Sequence, residues 1–344
     1  MVSPAAARFL ALTGARLPIV QAPMAGAGGV ALAVAAIRGG ALGSLPCALL
    51  TSEQVRAQVA EVRAAVSGPL NLNFFCHVLP APPDEGAWRA LLAPYYTEED
   101  VTPGDPPPLR RPFDAAMCAV VEELRPEVVS FHFGLPDAGL LARVKAVASV
   151  FGNATTAAEA HWLAAQGCDA VIAQGAEAGG HAGWFLDGHR PTPLAALLDA
   201  VVATGVPAIA AGGIIDAAGV RAALNARAAA VQLGTAYLAT PESTISAPYR
   251  ALLGTAAAAD AVFTNLLSGR EARGIRNRLM RELGPVRDEA PAFPYASNAL
   301  APLRAHAESE GRGDYSPLWA GAGAARVQAI GAEALTRILG QETE

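Results

Sequence analysis

The chain has 344 residues, of which 52% are hydrophobic and 16% are charged. This length allows one large domain or a domain with a smaller companion, and the abundance of alanine and glycine favours an α/β enzyme over a disordered chain. The net charge is −6 and no basic run stands out. We therefore expect neither nucleic acid nor an anionic membrane as a partner.

The sequence contains no recognisable targeting or membrane segment. The N-terminus lacks a charged stretch followed by an apolar core, and the longest uncharged run, 200–215, is too short to span a bilayer. The four cysteines form neither a C-x-x-C pair nor a metal-ligand spacing. These features together predict a cytoplasmic protein with free thiols.

Short apolar runs alternate with helical patterns along the chain. The series begins with a strand that ends at Ala22, a helix over 29–40, a short strand over 41–45 and a helix over 51–66. We expect Thr51 to cap this last helix, because a glutamine follows three residues later. Two further helices are predicted over 115–124 and 157–166, and six further strands over 69–75, 127–134, 149–155, 168–175, 206–213 and 228–235.

Eight strands separated by helical segments predict a TIM-type (β/α)8 barrel over residues 1–240. An open doubly wound sheet alternates in the same way, but eight units in one continuous series favour closure. Two regions depart from the repeat: a Pro-rich insertion at about 79–112 and the C-terminal region 241–344. Long excursions of this kind are typical of lids, so we expect the two together to form a smaller substrate or lid domain.

The loops after the seventh and eighth predicted strands carry the glycine-rich motifs "AGGI" and "QLGT". Loops at these positions of a barrel commonly bind a phosphate, because glycine lets the backbone approach an anion and Thr235 adds a hydroxyl donor. Tight turns alone would also explain Gly212, Gly213 and Gly234. Because both motifs lie at the right strand ends, we favour phosphate binding.

Polar side chains at other strand ends extend this candidate site. Asn73 and Gln174 have amide groups that suit polyol hydroxyls or ring heteroatoms, although each is also explained as a local structural group. His181 follows two glycines in "AGGHAG", and His132 ends the strand in "SFHFG". A histidine at the mouth is a candidate proton acceptor or anion partner. The absence of an H-x-x-x-H or clustered carboxylate pattern argues against a metal site.

Seven motifs together resemble the nitronate monooxygenase family, formerly called 2-nitropropane dioxygenases. They are "PIVQAPMAG", "NLNFF", "SFHFG", "DAVIAQGAEAGGHAG", "PAIAAGGI", "AVQLGTAYL" and "SGREARGIRNRL". The resemblance extends from about residue 17 to residue 319. It implies a barrel that binds FMN non-covalently, carries a smaller substrate domain and oxidises alkyl nitronates, such as propionate 3-nitronate, with O2 to carbonyl compounds plus nitrite or nitrate.

The resemblance also implies roles for individual residues. His181 corresponds to the family's catalytic histidine, and we expect His132 to help hold the substrate anion. Tyr295 and Arg304 are candidates to close over the substrate, although domain packing explains them equally well. The implied FMN contacts are Ala22, Pro23, Met24, Asn73, Gln174, Gly179, Gly180, Gly212, Gly213, Gln232, Leu233, Gly234 and Thr235.

Two other functions remain open on the sequence alone. Relatives with the same FMN barrel and "GGH" loop use NAD(P)H to reduce quinones or enoyl thioesters, and the barrel motifs do not separate these from the monooxygenases. His132 and the long C-terminal region favour the monooxygenase. A non-catalytic phosphate- or flavin-binding module is the third reading. The oligomeric state is not readable from the sequence.

Overall fold

The structure, a computed structural model, describes residues 3–104 and 109–341. Its strands are β1 (Ile19–Gln21), β2 (Gly43–Pro46), β3 (Leu70–Phe75), β4 (Val128–His132), β5 (Ser149–Ala154), β6 (Ala170–Gln174), β7 (Gly180–His181), β8 (Ala208–Ala211), β9 (Ala230–Leu233), β10 (Ala261–Thr264) and β11 (Ala272–Ile275). The α-helices are α1 (Pro4–Thr13), α2 (Val30–Gly39), α3 (Ser52–Ala65), α4 (Gly86–Glu98), α5 (Ala115–Leu124), α6 (Ala138–Lys145), α7 (Ala157–Ala165), α8 (Leu194–Ala203), α9 (Ala217–Asn225), α10 (Thr235–Leu238), α11 (Ala247–Leu252), α12 (Arg278–Leu283), α13 (Ala296–Ser309) and α14 (Ala332–Gly340). In this part of the chain, no helix has the length and apolar character needed to cross a membrane.

Eight parallel strands form the predicted barrel. Their order in the sheet is β1-β9-β8-β6-β5-β4-β3-β2, and a bridge between Val20 and Leu42 joins the two ends. The buried side chain of Gln21 reinforces this short seam, because its Oε1 accepts a hydrogen bond from the Ser44 amide at 2.8 Å. The prediction of a TIM-type barrel is confirmed.

The local signals read from the sequence correspond to the observed elements. Thr51 caps α3 by accepting from the Gln54 amide, and the Thr51 amide donates to the side-chain oxygen of Gln54, which forms a capping box. Inside the barrel, Phe151 packs against Phe9 of α1, which lies at a ring distance of 6.3 Å and belongs to the same core. The periodic segments were readable because apolar burial imposes their spacing.

A second hydrophobic core lies outside the barrel. Trp88 and Tyr96 of α4, which belongs to the Pro-rich insertion, pack with Met280 of α12 and Leu300 of α13. The hydroxyl of Tyr96 donates to the Ala299 carbonyl, and the Trp88 indole donates to the Ala296 carbonyl at 3.2 Å. The insertion and part of the C-terminal region therefore share one apolar interior. Residues 105–108 of the insertion lie outside the described residues.

The end of the chain differs from the predicted layout. Residues 241–344 were expected to build the smaller domain, but α14 packs against α2 and α9 and contributes Leu335 and Leu339 to the barrel core. Gly39 permits this contact, since a Cβ there would lie 2.5 Å from the Cβ of Thr336. The last helix thus completes the outer ring of the barrel after a long excursion. Residues 342–344 lie outside the described part.

Candidate active site

A cavity of about 280 Å³ opens at the C-terminal ends of the barrel strands. Parallel strands in a barrel all end on the same face, so loops that are distant in sequence meet there. His132, His181 and Arg304 line this cavity. The predicted FMN contacts that line it are Ala22, Pro23, Met24, Asn73, Gln174, Gly179, Gly180, Gly212, Gly213, Gln232, Gly234 and Thr235.

The structure does not bring two predicted site residues to the cavity. Leu233 is 1% exposed and packs in the core between strands and helices, because side chains alternate along β9 and Gln232 takes the inner face. Tyr295 is 5% exposed, and its hydroxyl donates to the Pro80 carbonyl at 2.8 Å. Tyr295 therefore ties the C-terminal region to the insertion, and neither side chain lines the cavity.

The backbone of the His181 segment is held by side chains of neighbouring strands. Gln174, at the end of β6, donates from Nε2 to the His181 carbonyl at 2.8 Å and accepts at Oε1 from the Gly183 amide at 2.8 Å. Asn153 donates to the same Oε1 at 3.0 Å. Both polar atoms of Gln174 are engaged within the protein, so this residue positions the histidine segment. A cofactor contact through the second Nε2 proton stays a prediction, since Gln174 also lines the cavity.

His132 also supports this segment. Its Nε2 lies 3.2 Å from the His181 carbonyl oxygen, which can only accept, so Nε2 carries the proton. Burial and then the charge of Arg270 lower the pKa of His132 to about 3, which keeps the ring neutral. Gly183 makes room for this arrangement, since a Cβ there would lie 2.6 Å from the His132 ring. His132 acts on the site through the His181 backbone.

The His181 side chain is fixed by one hydroxyl from the C-terminal region. Its Nε2 lies 2.9 Å from Ser268 Oγ, and that hydroxyl lies 3.1 Å from the Arg270 carbonyl oxygen. A carbonyl cannot donate, so the serine proton goes to Arg270 and the imidazole Nε2–H donates to the serine. Neutral His181 therefore carries its lone pair on Nδ1, for which the described residues supply no hydrogen-bond partner.

The surroundings of His181 are aromatic and positively charged. The Arg270 guanidinium carbon lies 3.8 Å from the centre of the Trp184 ring and 4.2 Å from that of Phe133. Burial lowers the pKa of Arg270 to about 10, so it is charged at neutral pH. Burial first, then the charge of Arg110, and then the neighbouring histidines and Arg270 hold the pKa of His181 well below its usual value. The resting site has a neutral histidine between fixed positive charges.

The glycines of the site serve two different purposes. A Cβ on Gly179 would lie 2.5 Å from the backbone of Ala320 and Gly321, so Gly179 lets two chain segments touch. Gly212 and Gly213 instead have φ angles of 129° and 69°, which side-chain-bearing residues rarely adopt. This second pair, together with Gly180 at a φ of 76°, matches the expectation of a specially shaped loop facing a ligand.

Sequence reasoning missed several residues that build the site. Asn153 is the penultimate residue of β5 and was detectable by the same strand-end rule that found Gln174. Ser268 and Arg270 belong to the "SGREARG" motif, but nothing local shows that they meet His181. Trp319, whose ring centre lies 5.5 Å from that of His181, and Arg110, which lines the cavity, lie in segments without a periodic pattern.

One cluster away from the barrel cavity resembles a metal site. Ligand atoms of Glu99, His306 and Glu310 lie within 4.8 Å of one another. The Arg312 guanidinium already pairs with Glu99 at 2.5 Å and Glu310 at 2.6 Å, and Tyr315 donates to Glu99 at 2.8 Å. These contacts hold the pKa of Glu99 at about 2, and they account for the cluster as an ion-pair network.

A closed barrel with a histidine held at its C-terminal face defines a TIM-barrel enzyme. The family model of nitronate monooxygenases matches residues 7–338. The chain is 39% identical to a nitronate monooxygenase of Pseudomonas aeruginosa over 97% of this chain and 98% of that protein. It is 40% identical to a nitronate monooxygenase of Paraburkholderia phytofirmans over 97% of this chain and 94% of the relative. The chain belongs to the nitronate monooxygenase family and is an oxidoreductase.

A solved structure extends this relationship to the fold. The nitroalkane oxidase from Streptomyces ansochromogenes superimposes with a TM-score of 0.90 and 35% sequence identity, and the match covers 98% of both chains. The similarity therefore includes the barrel and the C-terminal excursion.

Proposed function

We propose that this protein is an FMN-dependent nitronate monooxygenase that oxidises alkyl nitronates, such as propionate 3-nitronate, with O2 to carbonyl compounds plus nitrite or nitrate. The observation that supports an anionic substrate is the charge around His181. Arg110 and Arg270 both influence its ring, and no carboxylate of the described residues forms an ion pair with it. A nitronate anion is attracted to such a site, whereas a cation is repelled.

The cavity wall fits FMN in its chemistry. The loops containing Gly212, Gly213 and Gly234 present backbone at one side, which suits a phosphate. Met24 and Asn73 line the same cavity and suit a ring system with polar edges. These residues, with Ala22, Pro23, Gln232 and Thr235, would hold the cofactor. When bound, FMN supplies the electron acceptance and the reaction with oxygen, which side chains alone do not provide.

His181 handles the proton in this proposal. A bound nitronate places negative charge near the ring, which raises the pKa of His181 and favours protonation at Nδ1. The resulting N–H donates to the nitro group. If a neutral nitroalkane enters instead, the Nδ1 lone pair accepts its α-proton, and the same complex forms. Ser268 keeps Nε2 occupied, so both events take place at Nδ1.

Two measurements on one flavin-loaded sample test the proposal. Oxygen uptake with propionate 3-nitronate should be rapid, and anaerobic mixing with NADH should leave the flavin absorbance unchanged. Fast bleaching by NADH without nitronate-dependent oxygen uptake would instead identify a reductase of quinones or enoyl thioesters. A colourless protein that releases no FMN on heating would contradict the cofactor assignment.

A further inference from the structure

A second cavity of about 220 Å³ adjoins the first on the side of α13. The two cavities share part of their walls, namely Leu49, Arg110, Arg304, Pro317 and Trp319. Most other side chains that line the second cavity are apolar or neutral, including Leu267, Leu300, Ser297 and Asn298. The cavity that contains His181 is therefore continuous with the second cavity, and Arg110 and Arg304 lie between them. The reacting group of a small nitronate would not fill the second cavity.

Arg110 is the charged group of the shared wall that lacks a counter-ion. No carboxylate in residues 3–104 and 109–341 pairs with its guanidinium. The charged group that acts on its pKa is another cation, Arg304, which lowers it. The side chain is half-buried, and its guanidinium carbon lies 5.7 Å from the centre of the Phe293 ring. A guanidinium withdrawn from water without an anion is unfavourable, so this position favours a ligand that supplies one.

Arg304, the other arginine in the wall shared by the two cavities, does have a carboxylate partner. Its Nε donates to Glu308 Oε1 at 2.8 Å, and the same oxygen accepts from Ser316 at 2.7 Å. The charge of Arg304 is thus compensated within α13. Of the two arginines that line both cavities, Arg110 has its charge available for a ligand.

We propose that Arg110 binds a carboxylate on the tail of the substrate, remote from the carbon that reacts beside His181. This inference rests on the proposed function and assigns its substrate specificity to one side chain. A guanidinium forms two parallel hydrogen bonds with a carboxylate, and the position of Arg110 between the cavities suits the far end of a short chain. Nitronates with an ω-carboxylate are then preferred over alkyl nitronates of equal length.

The alternative is that Arg110 attracts the nitronate group itself. In that case its removal would weaken every nitronate to the same degree, because all of them carry that charge. Binding of the tail affects only substrates that have a tail carboxylate. The two roles are therefore separated by comparing propionate 3-nitronate with butyl 1-nitronate, which has an uncharged tail of similar size.

The test compares Arg110→Gln with Arg111→Gln as a matched control. Arg111 is the next residue, is exposed and lines neither cavity. We expect Arg110→Gln to raise KM for propionate 3-nitronate by roughly 10- to 100-fold, the scale of a lost charge-assisted hydrogen-bond pair. KM for butyl 1-nitronate should rise by a much smaller factor, because Arg270 still supplies positive charge beside His181. Arg110→Lys should recover part of the loss, and Arg111→Gln should match the parent protein. Equal loss on both nitronates, or no loss, would overturn the proposal.

A binding measurement separates this inference from the proposed activity. Succinate carries two carboxylates and is not a nitronate, so its binding to the holoenzyme by calorimetry reports on the tail site without turnover. Binding by the parent protein and its loss in Arg110→Gln supports the site even if no nitronate is oxidised. Nitronate oxidation with unchanged KM values in Arg110→Gln would leave the proposed function intact and reject the tail site.

Discussion

The two halves of the cavity are built in different ways. The barrel half consists of backbone loops and amide side chains at strand ends, such as Gly212, Gly213 and Asn73. The C-terminal half supplies side chains from irregular segments, among them Ser268 and Trp319. The histidine segment lies between them, since β7 pairs with β11 of the C-terminal region while Gln174 holds it to the barrel. The barrel half suits the holding of a cofactor, and the other half controls the histidine.

The largest expected effect is the loss of turnover on substitution of His181, which should leave the barrel half of the cavity intact. His181→Ala and His181→Asn remove the titrating Nδ1, so turnover of nitronates should fall by about 10²- to 10⁴-fold, the usual contribution of a proton-transferring side chain. FMN content should stay at the parental level, because most of the proposed cofactor contacts lie in the barrel half. Oxygen uptake and flavin absorbance on the same preparation check both expectations. Full activity in both variants would show that His181 has no role in the reaction.

The next effect breaks the link between the halves at Gln174. In Gln174→Ala the His181 carbonyl and the Gly183 amide lose their shared partner, and a displacement of about 1 Å is enough to reduce kcat by about 100-fold. Gln174→Glu keeps an acceptor for Gly183, but it sets a carboxylate oxygen against the His181 carbonyl and adds a negative charge near the substrate anion, so its loss should be at least as large. Gln166→Ala, at an exposed helix end, is the matched control. If Gln174→Ala lost FMN and kept normal turnover per bound flavin, the amide would be a cofactor contact after all.

A smaller effect is expected at Ser268 in the C-terminal half. Ser268→Ala frees Nε2 of His181, so the imidazole proton is no longer confined to that nitrogen, and we expect kcat/KM to fall by about 5-fold, the value of one hydrogen bond. Ser268→Thr keeps the hydroxyl and should restore activity. The pH profile of kcat/KM distinguishes a tautomer effect from general damage, because only the former moves the acidic limb. A uniform decrease at all pH values would count against the assigned role.

The weakest expected effect concerns stability in acid. The pKa of His132 is lowered to about 3 in the folded protein, so below the ordinary value near 6.5 the unfolded state binds more protons and stability falls as the pH falls. Between pH 7 and pH 5 this histidine should cost about 1–2 kcal/mol of unfolding free energy. Urea unfolding of His132→Asn should show a correspondingly shallower pH dependence. An unchanged slope would place the His132 ring in contact with solvent and protons.

The same division explains what the sequence predicted and what it did not. The strand ends, the two glycine-rich loops and His181 were predicted because strand periodicity and barrel topology place those residues on one face. Leu233 was included only because its neighbours belong there, and the alternation along β9 places it in the core. Ser268 was not found because it meets His181 across 87 residues of sequence, through a contact that no local pattern encodes.

Tyr295 and Arg110 show two ways in which local sequence patterns fail to identify site residues: Tyr295 was predicted to lie at the site and does not line the cavity, whereas Arg110 was not predicted and does. An aromatic residue in a lid has the same local signature whether it contacts a ligand or packs between segments, and Tyr295 binds the Pro80 carbonyl. Arg110 lies in a Pro-rich segment without periodicity, yet it reaches the cavity. Only the three-dimensional arrangement distinguishes the two.

The central claim, that a neutral histidine among fixed positive charges serves an anionic substrate, is tested most directly by offering one compound in two protonation states. Freshly mixed ethyl nitronate and its conjugate nitroethane can be compared at pH 7.5 by initial oxygen uptake, before the two forms interconvert. We predict that kcat/KM is higher for the nitronate by about tenfold or more, the scale of one charge-assisted interaction. A preference for neutral nitroethane of the same size would contradict the account.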